Sequence, residues 1–274
     1  MKRGLRKSSL LRFVRTSVLT LHLVLLGYFA AKWQFPSREP DIKGMAQVDA
    51  RFGEMRRAGH AISFGEIFER YPKPADEENA AIVITNVMRR LDPTALRKDY
   101  LHLPFVGEGD TPEGTNSFPS QELTGIANFF EKHLGALNEI RRALQSERAR
   151  FLVSEEILPS TRLPHLSYVK NAGAMLALRS HYLTSSRDLN RSEVIDCIED
   201  MFKLAALLEP EPLLIAQLVR IAIHRYAFQS IQFLIDRSEL NREEMARLQT
   251  MVDESYQDKP WRGVLELEIC SLKE

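Results

Sequence analysis

Three hydrophobic regimes succeed one another along the chain. Residues 18–31 (VLTLHLVLLGYFAA) carry no charge and are almost wholly apolar. From there to residue 119, apolar positions recur in short stretches broken by proline and glycine. From Ser120 onward they recur at three- and four-residue intervals over long spans, the period of an amphipathic α-helix. The fold class this predicts is all-α. A single N-terminal transmembrane helix is followed by an antiparallel helical-hairpin domain, bundle or solenoid-like.

The pattern divides the chain into five parts: a basic tail at 1–16, a transmembrane signal anchor at 17–35, juxtamembrane short helices at 36–91, a Pro/Gly-rich linker at 92–119 and a helical domain at 120–274. Met45, Val48, Phe52 and Met55 have helical spacing, and Gly59 is a natural stop. Ser63 reads as the cap of a short segment ending before Pro72. Residues 76–91 predict a helix with an acidic first turn and a basic end, which suits the helix dipole. Residues 92–119 hold Pro93, Pro104, Pro112 and Pro119 and admit no long helix. A helix is expected from Ser120, as cap, to about residue 150. In it Leu123, Phe130, Leu137 and Leu144 repeat every seven positions, while Arg141 breaks a second row begun by Ala127 and Leu134. That stripe predicts packing against the chain's own later helices, with a short dimeric coiled coil as the alternative.

Further helices are predicted at about 164–185, with small residues Ala172, Gly173, Ala174 and Ala177, and from Asn190 to about 208. Asn190 with Glu193, and Asn241 with Glu244, have the spacing of capping boxes. The run 213–235 is apolar enough to suggest a second span, but Arg220, His224 and Arg225 at its centre favour a buried core helix. Pro260 opens a last helix, whose LELEI alternation also suits a strand.

Charge sharpens the membrane reading. Lys2, Arg3, Arg6, Lys7, Arg12 and Arg15 precede the apolar run, and no acid occurs before Glu39. Residues 17–33 as a helix span roughly 26 Å, short of a ~30 Å hydrocarbon core, and flanking basic residues and Trp33 relieve the difference. A cleaved signal peptide and an Arg-rich mitochondrial presequence are the competing readings. Cleavage after Ala31 or Ala30 would place Phe29 or Tyr28 at −3, too large for the site, which favours a retained anchor. The positive-inside bias puts the N-terminus in the cytoplasm and the large domain outside it, periplasmic in a bacterium. His22, within the span, reads as a neutral side chain near the cytoplasmic end.

Beyond residue 38 the chain holds 29 basic and 37 acidic residues, a net of −8, so the main domain lacks the basic footprint of a nucleic-acid binder. Cys197 and Cys270 both lie among apolar neighbours; two separate, partly buried thiols are the favoured reading, with a disulfide in an oxidising compartment as the alternative. No phosphate loop, dinucleotide fingerprint, HExxH, CxxC or GxSxG occurs. GEGDTPEG lacks the ligand spacing of a calcium loop. Asn190-Arg191-Ser192 is a sequon in form, but capping explains Asn190. No catalytic, cofactor-binding or metal-ligating residue is assigned, and no cofactor. The one polar constellation with chemical interest is His165, Arg179, His181, Arg220 and His224, which facing helices would bring together as an anion site or around a base. The alternative is that each is exposed or satisfied by Glu209, Glu211 or Asp236.

Tyr182, the turn Arg187-Asp188-Leu189 and Leu208-Glu209-Pro210 resemble part of a tetratricopeptide repeat. Arg179 and Arg191 stand where small residues belong, and nothing recurs at 34 residues, so the resemblance implies solenoid-like stacking without repeat membership. Glu78-Asn79-Ala80-Ala81, Leu163-Pro164-His165-Leu166 and the acidic-Pro break before residue 213 resemble uncharacterised planctomycete proteins with one membrane helix and an all-helical exterior. That resemblance implies no activity. The expected partners are the lipid bilayer, through residues 17–35, and other envelope proteins. The expected role is a membrane-tethered interaction or scaffold module; a subunit of a larger membrane complex and a helical enzyme with dispersed residues are the alternatives.

Overall fold

The computed structural model describes residues 42–70, 74–146, 148–151 and 163–255. The anchor at 17–35, the helix expected from Pro260 and Cys270 lie outside the described residues. Every described element is helical, and no described helix is long and apolar enough to cross a membrane. The chain divides into two compact units between Glu54 and Met55. The described part of the first is the front of α1 (Ile42–Arg57), where Arg51 pairs with Glu54 at 2.8 Å.

The second unit opens on the end of α1. Gly59, at φ +78°, lets its own N–H reach Arg56 O and the His60 N–H reach Met55 O, closing the last turn as its sequence position predicts. Ser63 Oγ then accepts the Glu66 N–H, capping α2 (Phe64–Glu69). The helix expected over 76–91 is split. Asp76–Glu78 make one 3₁₀ turn, and α3 begins after Asn79 (Ala80–Leu91). Asn79 Oδ1 accepts from the N–H groups of Ala81 and Arg150, and its Nδ2 donates to Arg150 O. Those bonds require a non-helical Asn79, and they outweigh the favourable acidic first turn.

Helix α4 (Pro93–Asp99) follows at once, capped by Asp92, whose Oδ1 accepts from Thr94 N and Ala95 N. The chain from there to residue 119 is stitched into the core, with Leu103, Val106 and Phe118 buried. Its tightest point is Gly107, where a Cβ would lie 2.2 Å from Tyr100 O and 2.5 Å from Leu101 O. Helix α5 (Ser120–Ala143) starts at Ser120 itself, with Pro119 in the cap position. It stops well short of residue 150 because the chain turns back on α3. Ser146 Oγ donates to Glu78 O at 2.6 Å, and Ala80 N donates to Arg148 O.

Helix α6 (Pro164–Thr184) is the centre. It packs against α3, α4, α5, α7 (Arg191–Ala206) and α8 (Leu214–Ile235), and fourteen of its 21 residues are buried. Its small residues allow that crowding: a Cβ on Gly173 would sit 3.2 Å from Ile223 of α8. Phe130 and Leu137 of α5, with Leu144 just beyond it, are buried in the shared core, as the seven-residue stripe predicts. Each such side chain contributes roughly 1.5–3 kcal/mol by leaving water.

Short turns join α6 to α7 and α7 to α8, consistent with antiparallel neighbours. At the second turn Gln217 Nε2 donates to Leu208 O at 2.9 Å and Glu211 O at 2.8 Å. Helix α8 is buried on one side only. Ile215, Ile221 and Ile235 are exposed, in contrast to the core helix expected there. Helix α9 (Arg242–Ser255) packs on α7 and opens with a complete capping box, Asn241 and Glu244 each accepting the other's N–H. The box at Asn190 has one arm: Asn190 accepts from Glu193 N, but the Glu193 carboxylate goes to Arg179.

Gly107→Ala drives a methyl into backbone carbonyls that have no rotamer to change. The expected cost is at least about 2 kcal/mol, read as a lowered midpoint in urea unfolding with an unchanged slope. An unchanged midpoint would show that the loop at 101–109 is not packed as described.

Candidate functional site

The outward face of α7 carries Asp196, Glu199 and Lys203 at helical spacing. Asn138, Arg141, Arg142 and Gln145, on α5 and just past its end, face it from one side, and Arg247 of α9 from the other. These residues line a polar cleft of about 770 Å³, with Gly135 at its edge. An ion-pair lattice closes its walls. Arg141 Nε donates to Asp200 at 2.6 Å; Arg247 bridges Asp196, at 2.8 Å, and Glu199; Lys203 holds Glu199 at 2.7 Å.

Asp200 is nearly inaccessible, and burial pushes its carboxyl up despite Arg141 beside it. Burial acts to lower Arg141, but the Asp200 hydrogen bond and the neighbouring Cys197, Asp200 and Asp196 hold it above its ordinary value. The break that Arg141 makes in the apolar row of α5 is therefore the point where α5 reaches α7. Beneath the cleft lies Cys197, a free and fully buried thiol that burial pushes up to about 12, with Arg141 opposing. At that value it is inert as a nucleophile.

A second cleft of about 410 Å³ adjoins the first and shares Glu199 and Lys203 with it. Its walls combine Leu144, Phe202, Ala206, Leu207 and Met251 with Ser146, Glu209, Glu254 and Ser255, and it holds Arg220 and His224 from α8. Arg220 reaches Glu209 only at 3.5 Å, and its buried Nε has no partner among the described residues. Burial, and then the charge of Arg220, lower His224 to about 4, so it is neutral at pH 7. The clefts adjoin over α7 as a groove that is polar throughout at one end and only partly apolar at the other.

The five-residue constellation anticipated from sequence does not assemble. Arg220 and His224 do meet, at the partly apolar end of the groove. His165 instead sits in the core, 2.7 Å from Glu211 and stacked on Phe151. Arg179 pairs with Glu193 at 2.8 Å and lies over Phe130 and Tyr182. Glu209 and Glu211 are thus partners to members of the set, while Asp236 accepts from Gln232.

His181 is enclosed by rings. It stacks on Phe233 at 4.1 Å and meets the edge of Phe105 at 4.8 Å, and Arg237 covers the Phe233 ring at 3.3 Å. Phe105 adopts φ +63°, a strained conformation for a bulky residue, and its ring also contacts Tyr226. Both His181 ring nitrogens lack a hydrogen-bond partner among the described residues. Sequence reasoning missed this aromatic enclosure; the four-residue spacing of Phe233 and Arg237 is its only local trace. Among the described residues, no group of three or more His, Cys, Asp or Glu side chains has the arrangement to hold a metal ion.

Burial, reinforced by Arg237, lowers His181 to about 3. The unfolded chain, with an ordinary histidine, takes up a proton as pH falls through about 6.5, whereas the folded chain resists until about 3. The His181 contribution to stability is therefore complete above pH 6.5 and is lost progressively toward pH 3, on the order of 4 kcal/mol in total. His181→Phe is expected to flatten this part of the pH profile, so that the variant gains on the unaltered chain between pH 6 and 4 in urea titrations. Parallel profiles for the two chains would overturn the assignment. In comparisons with known proteins the chain matches no family model, no curated protein and no solved structure.

Proposed function

We propose that this chain is a membrane-tethered helical interaction module that receives a segment of a partner protein in the groove over α7. One observation carries the reading: two adjoining clefts, lined from α5, α7, α8 and α9, share Glu199 and Lys203, one polar throughout and the other partly apolar. Recognition of a peptide or helix by a helical scaffold uses this arrangement, with apolar anchors for affinity and charged walls for register. The basic, apolar N-terminus supports tethering, since it would hold the domain at a bilayer and raise its local concentration toward other membrane proteins.

A second reading, a subunit of a larger membrane complex, draws on α8. Its Ile221 and Ile235, 44% and 43% exposed, fall on one side of the helix and offer an apolar strip to a neighbouring subunit.

The test exploits Ala206, an exposed residue in the wall of the partly apolar cleft. Ala206→Trp fills that cleft without removing any core contact. Purified in mild detergent from native membranes at low salt, the unaltered chain is expected to retain a partner that rebinds when both are purified. The variant is expected to lose it, with its melting temperature changed by no more than about 2 °C. Recovery of the chain alone, or an undiminished partner on Ala206→Trp, would remove the groove reading. Retention on Ala206→Trp with loss on Ile221→Asp would favour the α8 face.

A further inference from the structure

We propose that the polar end of the groove is a receptor for acidic side chains, so that the bound segment carries glutamates or aspartates beside an apolar anchor. This rests on the interaction-module reading and names the chemistry of the partner.

Charges and donors in the cleft do not balance. Four cations line the polar cleft, Arg141, Arg142, Lys203 and Arg247, against three carboxylates, Asp196, Glu199 and Asp200. Every carboxylate is already engaged: Asp200 by Arg141, Asp196 by Arg247, and Glu199 by both Arg247 and Lys203. The cations are not used up in return. A guanidinium has five N–H donors. Arg141 spends its Nε on Asp200, and Arg247 spends its Nε and one terminal nitrogen.

Arg142 carries the surplus positive charge. It has no carboxylate partner among the described residues; its Nε reaches only the Asn138 carbonyl, at 3.3 Å, and its side chain stands exposed at the cleft. The lining therefore has one more cation than carboxylates, and guanidinium donors left unspent. A carboxylate is the group that takes two parallel N–H bonds from a guanidinium.

The long-range field does not oppose this. The net charge of −8 beyond residue 38 is spread over the whole domain, and at physiological salt a charge acts over about 8 Å. The adjoining cleft, where Phe202, Ala206, Leu207 and Met251 form part of the wall, offers a place for an apolar residue near the acids in the same segment.

The experiment uses the full chain in phosphatidylcholine nanodiscs and two fluorescein-labelled peptides, four repeats of Glu-Glu-Leu and four of Gln-Gln-Leu, with empty nanodiscs as blank. Fluorescence anisotropy in low salt is expected to show the acidic peptide binding at least tenfold more tightly than the glutamine peptide, with the difference shrinking as salt is raised. Arg142→Glu is expected to weaken the acidic peptide at least tenfold. Arg225→Glu, an exposed change on α8 outside both clefts, is expected to leave it unchanged.

Equal binding of the two peptides, no binding of the acidic one, or full binding by Arg142→Glu would each overturn the proposal. Arg142 makes no ion pair within the described fold, so its replacement leaves the lattice intact. Should the variant still misfold, the comparison of peptides on the unaltered chain decides alone. A native partner lost on Ala206→Trp but retained on Arg142→Glu would sink this inference while leaving the interaction module standing.

Discussion

Everything in the second unit depends on α6 being buried on nearly every side. A helix with a single apolar stripe can be covered by one neighbour, whereas α6 needs several. Its alanines and Gly173 allow α7 and α8 to approach closely, and α3, α4 and α5 complete the enclosure. The groove follows from that arrangement. Once the apolar positions of α7 are committed to α6 and α8, its charged row has to face outward, between α5 and α9. Its floor is the far side of a helix held rigidly from within.

The charged residues of the groove serve the fold as well as the surface. A carboxylate as deeply placed as Asp200 would cost several kcal/mol if left alone, and Arg141 offsets that cost across the α5–α7 contact. Arg247 does similar work between α7 and α9, at a more exposed and therefore weaker site. The lattice thus fixes the spacing of the three helices that bound the polar end. Pairing of this kind adds little net stability, because both partners give up water.

Local signals in the sequence translated well where a single turn of chain decides the outcome. Gly59, Ser63, Asn190 and Asn241 all sit at helix ends as their chemistry suggests, and the seven-residue stripe of α5 points inward. What was not legible was decided by residues far apart in sequence. Asn79 breaks a plausible helix because Arg150 lies against it, and α5 ends early because Ser146 finds Glu78. The five polar residues picked out by type had the right helical placement. Their partners, however, were set by which helix came to lie opposite, and only Arg220 and His224 converged. Arg141 was visible as a flaw in an apolar row, and its partner on α7 was not.

The corner between α7 and α8 deserves a mechanical reading. One amide nitrogen, Nε2 of Gln217, fastens two carbonyls of the turn that reverses the chain. The walls of the partly apolar cleft stand on either side of that turn, with Leu207 at its entry and Arg220 one helical turn past the amide. The spacing of the cleft walls is consequently set by a buckle that Gln217 fastens together with the His165–Glu211 pair. A change that undid this buckle would alter what the groove admits without touching any residue that a guest would meet.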